Sequence, residues 1–526
     1  MAKYIFVTGG VVSGLGKGIT AASLGRLLIE RGLNVTIQKL DPYLNVDPGT
    51  MSPMEHGEVF VTEDGAETDL DIGHYERFLG RSLTRGSTRT GGQIYLNVIN
   101  KERRGEYLGK NVQIVPHITN EIIDTMKSVG EGQDIVIVEV GGTVGDIESM
   151  TFIEAISQFR KQLGHGNSLS IHVTLLPHLP MSGEVKTKPT QASVRELSSM
   201  GVRPDIIVLR SGADIELDEE GRKKIVMFCN LDSINDVIHN KDCRSIYEVP
   251  LVLKDQKLDD NVLAKLGMTA SQSEMKEWRK LVKHLLNGYE TKKIALVGKY
   301  TTMPDAYISV MESIKLAGVE VGVKPQITLV DCGEIEKKGA KQVLAGFDAI
   351  VLAGGFGTRG VLGMIHTVQY VRENDIPFLG ICLGMQVSVI EYARNVIGME
   401  GADSTEFRPD TKYPVVHIME NQKEVTGKGG SMRLGLYDCH IKSGTLASKL
   451  YKAKTIQERH RHRYEFNNEF RGKLEGLVIS GENNGLVEIV ENPKNKFFIA
   501  CQFHPEFLSK PGSPHPLFVG LMKASR

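Results

Sequence analysis

The chain of 526 residues has no surplus of charge: 63 Lys and Arg stand against 64 Asp and Glu, a formal net charge of -1. No global basic field recruits nucleic acid or an anionic membrane, so any anion site must be local. Cysteines are few and scattered (Cys229, Cys243, Cys332, Cys382, Cys439 and Cys501), with no C-x-x-C pair. That spacing excludes a disulfide framework or a cysteine zinc cluster and suits a reducing compartment. No run of 18 or more apolar residues exists to cross a bilayer, and there is neither an internal repeat nor a low-complexity tract. The chain enters its first strand without a basic and apolar leader, so a cytoplasmic protein with no membrane or nucleic-acid partner is expected. The length leaves room for two to four domains.

What the sequence does have, near its start, is glycine at a strand-to-helix junction. Tyr4 to Val7 is short, apolar and β-prone, Ile19 to Glu30 carries an apolar helical stripe, and Thr8 to Thr20 lies between them with Gly9, Gly10, Gly14, Gly16 and Gly18. Glycines let backbone N–H groups converge on an anion, the helix N-terminus adds its positive end, and Lys17 supplies charge for outer phosphates. A nucleoside triphosphate is the expected ligand. The loop departs from G-x-x-x-x-G-K-[ST], because Val11 stands at the first glycine and Gly18 replaces the metal-binding hydroxyl. Thr20 or an outside carboxylate must then help hold the metal.

Asn34 to Leu40 returns as a strand, completing a right-handed β-α-β unit of a parallel sheet. Asp41 to Asp71 is long for a plain connection and reads as a site loop, contributing Glu63, Asp64, Glu67, Asp69 and Asp71, most of which are expected to be solvated. Asp134 to Val140 is a nearly continuous apolar run, as in a strand buried on both faces, and Glu139 near its end places a carboxylate at the edge where α/β sheets bind ligands. Such an acid suits Mg²⁺. Gly141 to Asp146 adds a second backbone-rich loop there. Strands follow at Leu169 to Leu176 and Asp205 to Leu209, a helix at Met150 to Gln162, and Lys186 and Lys188 offer charge for a second set of phosphates.

From Lys254 to Lys293 the chain turns charged and helical. Ser271 with Glu274 reads as a capping box, and Met275, Trp278, Val282 and Leu285 fall at helical spacing. An interdomain linker is placed here, before a second α/β pattern with strands at Lys293 to Gly298, Gln326 to Val330, Asp348 to Leu352 and Pro377 to Ile381. Gly380-Ile-Cys-Leu-Gly-Met-Gln386 then gives a G-x-C-x-G turn from strand to helix, the kind that exposes one thiol at a sheet edge with a helix N-terminus favouring thiolate. Cys382 is the candidate nucleophile. His504 and Glu506, two residues apart and on one face if extended, are its candidate base and acid, and Ala353 to Gly357 is a candidate oxyanion loop.

These stretches closely resemble the CTP synthase family over essentially the whole chain. The motifs that carry the resemblance include Tyr4 to Lys17, Lys39 to Tyr43, Gly49 to Pro53, Gly65 to Asp71, Gly73 to Arg77, Val138 to Asp146 and Lys188 to Gln191. The C-terminal half resembles class I glutamine amidotransferases through Gly380 to Gln386, Arg459 to Glu465 and Gln502 to Glu506. The resemblance implies an α/β chain of two doubly wound domains: a P-loop-type, dethiobiotin-synthetase-like synthetase at 1–268 with a mostly parallel sheet, a helical linker at 269–292, and an amidotransferase at 293–526. It implies that ATP phosphorylates O4 of UTP and that ammonia from glutamine displaces the phosphate to give CTP, through an enclosed passage between two sites.

Residue by residue, the resemblance implies ATP at Gly14, Leu15, Gly16, Lys17, Gly18, Ile19, Lys39, Asp71, Lys241, Asp242 and Cys243, with Mg²⁺ on Asp71 and Glu139. UTP or CTP would bind at Ser13, Asp146, Ile147, Glu148, Lys186, Thr187, Lys188, Pro189, Thr190, Gln191 and Lys224. Glutamine would meet Gly355, Leu383, Gly384, Met385, Gln386, Glu406 and Arg463, an arginine being suited to its α-carboxylate. GTP activation, CTP inhibition and a homotetramer with a shared UTP site are also implied. Ala192, Ala353 and Leu362 depart from the family's usual histidine, proline and acid, none at a catalytic group. Two other readings remain at this point: an amidoligase acting on a carboxylate, and a nucleotide-switched ATPase with an inert C-terminal half.

Overall fold

The computed structural model describes residues 2–179, 184–287, 290–422, 425 and 429–526. The chain divides into two compact units, one of Met1–Asp47 with His74–Leu286, the other of Pro48–Gly73 with Asn287–Arg526.

The first unit is built on seven strands: β1 (Lys3–Gly9), β2 (Val35–Asp41), β3 (Thr88–Thr90), β4 (Ile135–Val140), β5 (Ser168–Leu175), β6 (Ile206–Ser211) and β7 (Val237–Lys241). They lie in the order β7-β6-β5-β1-β4-β2-β3, every pairing parallel. β2 and β4 are buried at every position; β4 accordingly runs almost wholly apolar, whereas β2 buries Thr36, Gln38, Lys39 and Asp41 as well. Helices α1 (Lys17–Glu30), α2 (Ile147–Leu163) and α3 (Lys188–Ser199) follow β1, β4 and β5 and begin at the carboxyl edge of the sheet.

The last helix of this unit, α4 (Lys276–Leu286), starts later than the expected capping box. The Ser271 hydroxyl donates instead to the Arg31 carbonyl, and Ser273 Oγ accepts from the Met275 N–H just ahead of the helix. A tertiary hydrogen bond to the end of α1 therefore outcompetes the local cap. The expected apolar stripe does pack: Trp278 and Val282 are buried, and the Trp278 indole donates to the Tyr247 carbonyl.

The second unit holds a nine-stranded sheet. Its strands are β8 (Glu290–Gly298), β9 (Val323–Asp331), β10 (Ala349–Leu352), β11 (Phe378–Ile381), β12 (Arg433–Ile441), β13 (Thr455–His462), β14 (Val478–Asn483), β15 (Leu486–Glu491) and β16 (Phe498–Cys501). The order is β9-β8-β10-β11-β16-β15-β14-β12-β13, parallel from β9 through β16 and antiparallel beyond. Helices α5 (Ile308–Val321) and α6 (Leu383–Asn395) follow β8 and β11, and apolar clusters cover both faces of the parallel half.

Residues 48–73 are part of this second unit, although they interrupt the chain of the first. Their short hairpin, Phe60–Val61 with Glu67–Thr68, lies against β13. Arg459, fully buried, donates to the Val61 carbonyl at 3.0 Å, and the Leu436 N–H donates to the Glu63 carbonyl at 2.9 Å. Phe60 packs on Phe507 with ring centroids 4.8 Å apart.

Candidate active sites

In the first unit the glycine-rich turn joins β1 to α1 as the pattern requires. Gly16 caps α1 in the left-handed region at φ 83°, and Val11, where a standard loop has glycine, also takes a positive φ of 81°. A β-branched residue is rare there, so this backbone is strained into its shape. Lys17 is buried and reaches across to donate to the Gly142 carbonyl at 2.6 Å, joining the first glycine loop to the second. Thr20 is buried with its hydroxyl donating to the Gly16 carbonyl at 2.9 Å. Ser13 and Gly14 are exposed, while Leu15 and Gly18 are buried.

Glu139 ends up beside the loop because β4 is adjacent to β1 and β2. Its register partners are Val7 and Lys39, and Lys39 Nζ lies 3.3 Å from its carboxylate and 3.7 Å from Asp41. The Tyr75 hydroxyl also donates to Glu139. Glu139 is thus a buried hard-oxygen donor at a sheet edge beside a glycine-rich loop, a donor type that Mg²⁺ takes together with phosphate oxygens and water. Asp71 sits in the first turn of the helix Leu70–Leu79, its N–H donating to Asp69 Oδ1 at 2.8 Å. Among the described residues no group of three or more His, Cys, Asp and Glu is set to hold a metal unaided.

The remaining nucleotide candidates lie on several loops and helices of this unit. A cavity of about 180 Å³ is lined by Gly16, Ile19, Arg210, Asp242 and Cys243. Asp242 pairs with Arg210 at 2.6 Å, Lys241 with Glu216, and burial raises the Cys243 thiol pKa. Asp146, Ile147 and Glu148 are exposed at the start of α2, where Asp146 accepts from the Thr143 N–H. Lys186 is half-buried and pairs with Glu184, Thr187 Oγ1 accepts from Gln191, and Lys188 and Pro189 open α3. Thr190 is fixed by its 3.0 Å contact to the Thr174 hydroxyl, and Lys224 is exposed on the helix Glu219–Cys229.

In the second unit β11 turns sharply into α6 at Cys382, which adopts φ 53°, ψ -103°. A non-glycine residue in that region is strained, and such strain collects where one side chain must be presented. The flanking glycines make the turn fit: a Cβ at Gly384 would lie 2.4 Å from the Leu352 carbonyl oxygen. Cys382 Sγ donates to the Arg461 carbonyl at 3.8 Å and accepts from Gln502 Nε2 at 3.6 Å. Leu383 opens the helix, where first-turn N–H groups have no partner of their own helix.

His504 and Glu506 come from the turn after β16, which lies beside β11, so sheet order alone brings them to the thiol. Glu506 Oε1 is 2.7 Å from His504 Nδ1. Burial opposes a charge on His504, but the Glu506 carboxylate bonded to it and the neighbouring Cys382 outweigh it and push its pKa up to about 10. Nε2, the nitrogen left for the thiol, is buried and completes no hydrogen bond of ordinary geometry. Gly354 lies against both groups, since a Cβ there would stand 3.2 Å from the His504 ring and 3.5 Å from Cys382. The arrangement holds a thiol, a base with a charged orienting partner, and backbone donors at one place, which is what acyl transfer needs.

The loop bearing Gly355 is fixed from two sides. Lys299 Nζ donates to the Phe356 and Gly357 carbonyls, and Glu406 Oε1 accepts from the Gly357 N–H at 2.9 Å. Burial lowers the Lys299 pKa to about 8 and raises that of Glu406. Ala353, where the related pattern has proline, donates its N–H to the Val297 carbonyl at 3.0 Å, a bond proline cannot make. Gln386 is buried, its amide donating to the Tyr464 carbonyl and to Gln502, while the Met385 N–H donates to the Cys382 carbonyl. Arg463 donates to Gln422 and Ser431, and burial lowers its pKa.

Sequence reasoning assigned no role here to Lys299, Arg461 or the 48–73 segment. A cavity of about 60 Å³ is lined by Cys382, His504, Glu506, Gly354, Gly355 and Arg461 together with Pro53, Glu58 and Val59. Glu67, one of five loop acids of which most were expected to be solvated, is buried with Oε1 2.8 Å from Arg461 Nε. The signal was present in the alternation of Arg459 to Arg463: the first two arginines meet the 48–73 segment, while His460 and His462 face inward and are fully buried.

Comparison with known proteins accords with both units. The family description "CTP synthase N-terminus" matches residues 3–268, and "Glutamine amidotransferase class-I" matches residues 302–524. A CTP synthase of Caldanaerobacter subterraneus subsp. tengcongensis is 55% identical over 530 residues, covering 100% of this chain and 98% of the relative. A CTP synthase of Staphylococcus aureus strain NCTC 8325 is 53% identical, covering 100% and 99%. A solved structure, the Trypanosoma brucei CTPS glutaminase domain with bound acivicin, is 40% identical over 44% of this chain and 93% of its own, with a TM-score of 0.43. On full-length identity and the ordered match of both halves, this chain belongs to the CTP synthase family.

Proposed function

We propose that this enzyme makes CTP from UTP, with residues 1–268 as synthetase, 269–292 as linker and 293–526 as amidotransferase. The Cys382 thiolate attacks the glutamine carboxamide carbon, and the oxyanion is met by backbone N–H groups at Gly355 and Leu383. His504 gives its proton to the departing ammonia, then takes one from the water that cleaves the thioester to glutamate. Gln386, Glu406 and Arg463 hold the amino acid. O4 of UTP, bound by Ser13, Lys186 to Gln191 and Lys224, takes the γ-phosphoryl group of ATP held by Gly14 to Ile19. Ammonia then adds at C4, and inorganic phosphate leaves.

Glu139 and Asp71 would hold Mg²⁺, which supplies positive charge against the developing phosphoryl charge. Lys17 does the same from the loop, and Lys39, now paired with Glu139, is poised beside it. Lys241, Asp242 and Cys243 line the base of ATP. Asp146 to Glu148 are the place for CTP inhibition, and GTP activates glutamine hydrolysis. A homotetramer with a shared UTP site fits the exposure of Ile147 (81%), Met150, Met227 and Phe228, which sit on the helices bearing Glu148 and Lys224. The protein acts in the cytoplasm; no described helix is long and apolar enough to cross a membrane.

The observation that carries this reading is the small cavity in which the triad meets Pro53, Glu58 and Val59, residues of the stretch that matches the CTP synthase N-terminus. In this reading ammonia freed at Cys382 enters a cavity lined in part by Pro53, Glu58 and Val59 and passes on to UTP without equilibrating with bulk solvent. The test is CTP formation from UTP, ATP and Mg²⁺ with glutamine or ammonium chloride, in wild type and Cys382→Ala. The variant is expected to keep the ammonium reaction and lose the glutamine reaction. Absence of CTP under every condition with folded protein overturns the assignment, and free ammonia released stoichiometrically without CTP overturns the passage.

A further inference from the structure

One buried polar side chain at the centre of the first sheet has no part in the chemistry above. His172 on β5 is fully buried, and both ring nitrogens are engaged. Nδ1 is 2.9 Å from Thr8 Oγ1, at the end of β1 where the phosphate loop begins. Nε2 is 2.8 Å from Ser193 Oγ on α3, the helix whose first turn carries Lys188 to Gln191. Burial, reinforced by the Lys17 charge, lowers the imidazole pKa to about 3, so the ring is neutral at working pH. A neutral imidazole has one N–H and one lone pair, so the Thr8 and Ser193 hydroxyls must take opposite roles.

The loop also touches this link directly. A Cβ at Gly10 would lie 1.7 Å from Ser193 Oγ and 3.2 Å from His172 Nε2, so the serine hydroxyl fills the space that glycine leaves against the loop backbone. The Gly10 N–H is held by the Val173 carbonyl at 3.1 Å, next to His172 in the same strand. α3 therefore cannot shift without disturbing the start of the phosphate loop, because no water replaces a broken bond in this buried place.

We propose that His172 and Ser193 are positioning residues that couple the phosphate loop to the Lys186–Gln191 loop, so that filling either nucleotide site strengthens binding at the other. The proposal rests on the assignment of ATP to the first loop and UTP to the second. Coupling is reciprocal, so the factor by which an ATP analogue tightens UTP must equal the factor by which UTP tightens the analogue.

The experiment measures UTP affinity by calorimetry on the full-length enzyme, with and without the non-hydrolysable analogue AMP-PNP and Mg²⁺. Wild type is expected to show a coupling factor of about 5 or more. Ser193→Ala should bring it within about twofold of 1, with UTP alone bound about as before, and Ser193→Thr should restore it. A merely structural role lowers stability without moving this ratio. Thr8→Val, nearly isosteric, probes the link from the other end and should act like Ser193→Ala. A wild-type factor of 1, or a wild-type factor retained in both folded hydroxyl-deleted variants, overturns the proposal. Lys188→Ala and Lys17→Met separate the underlying assignment: if neither weakens its own nucleotide, the site reading fails, whereas if both do and the ratio is unmoved, only the coupling fails.

Discussion

Replacing Glu506 with glutamine tests the charge logic of the glutaminase site. The carboxylate lies 2.7 Å from His504 Nδ1 and, with Cys382, holds the imidazole pKa at about 10 against the opposing effect of burial. The rise from 6.5 to about 10 corresponds to roughly 5 kcal/mol favouring the imidazolium, at about 1.4 kcal/mol per unit. Because the folded value is raised, this stabilisation is fully present below about pH 6.5 and is lost as pH rises through about 10. In Glu506→Gln burial prevails, and the imidazole should be neutral at pH 7. Glutaminase kcat is expected to fall on the order of 10²- to 10⁴-fold, as when the orienting acid of other triads is removed. The assays are glutamate release across pH 6–10 and the rate of Cys382 alkylation by iodoacetamide at pH 7, which should fall as the charged imidazole beside the thiol is lost. Ammonium-dependent CTP formation should be unchanged. A variant with glutaminase activity within about threefold of wild type and an unshifted pH profile would refute the ion-pair account.

Lys17→Met removes the charge that now reaches the Gly142 carbonyl, and CTP synthesis from either nitrogen source should fall by about 10³-fold while basal glutamine hydrolysis persists, read in parallel assays. Gly384→Ala forces a Cβ to 2.4 Å from the Leu352 carbonyl, and a cost of about 1–3 kcal/mol should appear as a lower Tm with glutaminase lost. An unchanged Tm there would mean that the elbow has slack. Glu67→Gln leaves buried Arg461 without its countercharge at 2.8 Å, which costs about 3–5 kcal/mol locally and should loosen the 48–73 segment. Glutamate release should then outrun CTP formation, with ammonia detectable in the medium; a preserved one-to-one ratio would count against the cavity's role as a passage.

Much of both sites was legible because the signals are local. A glycine run between an apolar strand and a helix leaves few alternatives for the turn around Lys17, and the same holds for Gly380 to Gly384 around Cys382. Glu139 was legible from its place in an apolar strand, and it lies buried at the sheet edge beside Lys39. The reading erred where a distant partner decided. Ser271 left its local cap for the Arg31 carbonyl, and Glu67, one acid among several in a loop, found Arg461. Spacing says nothing about pairings between residues so far apart.

The sequence by itself determined the two α/β patterns and the two strand-to-helix glycine turns, and it offered Cys382 as a candidate thiol. Each depends on periodicity, glycine placement or short-range spacing, which act within a few residues. Only the tertiary structure decided that the turn bearing His504 and Glu506 lies beside Cys382, that residues 48–73 pack with the second unit, that Lys299 is buried beneath the Gly355 loop, and that His172 joins Thr8 to Ser193. Those arrangements follow from strand order and from which polar groups are shut away from water together, and neither is written in any single stretch of the chain.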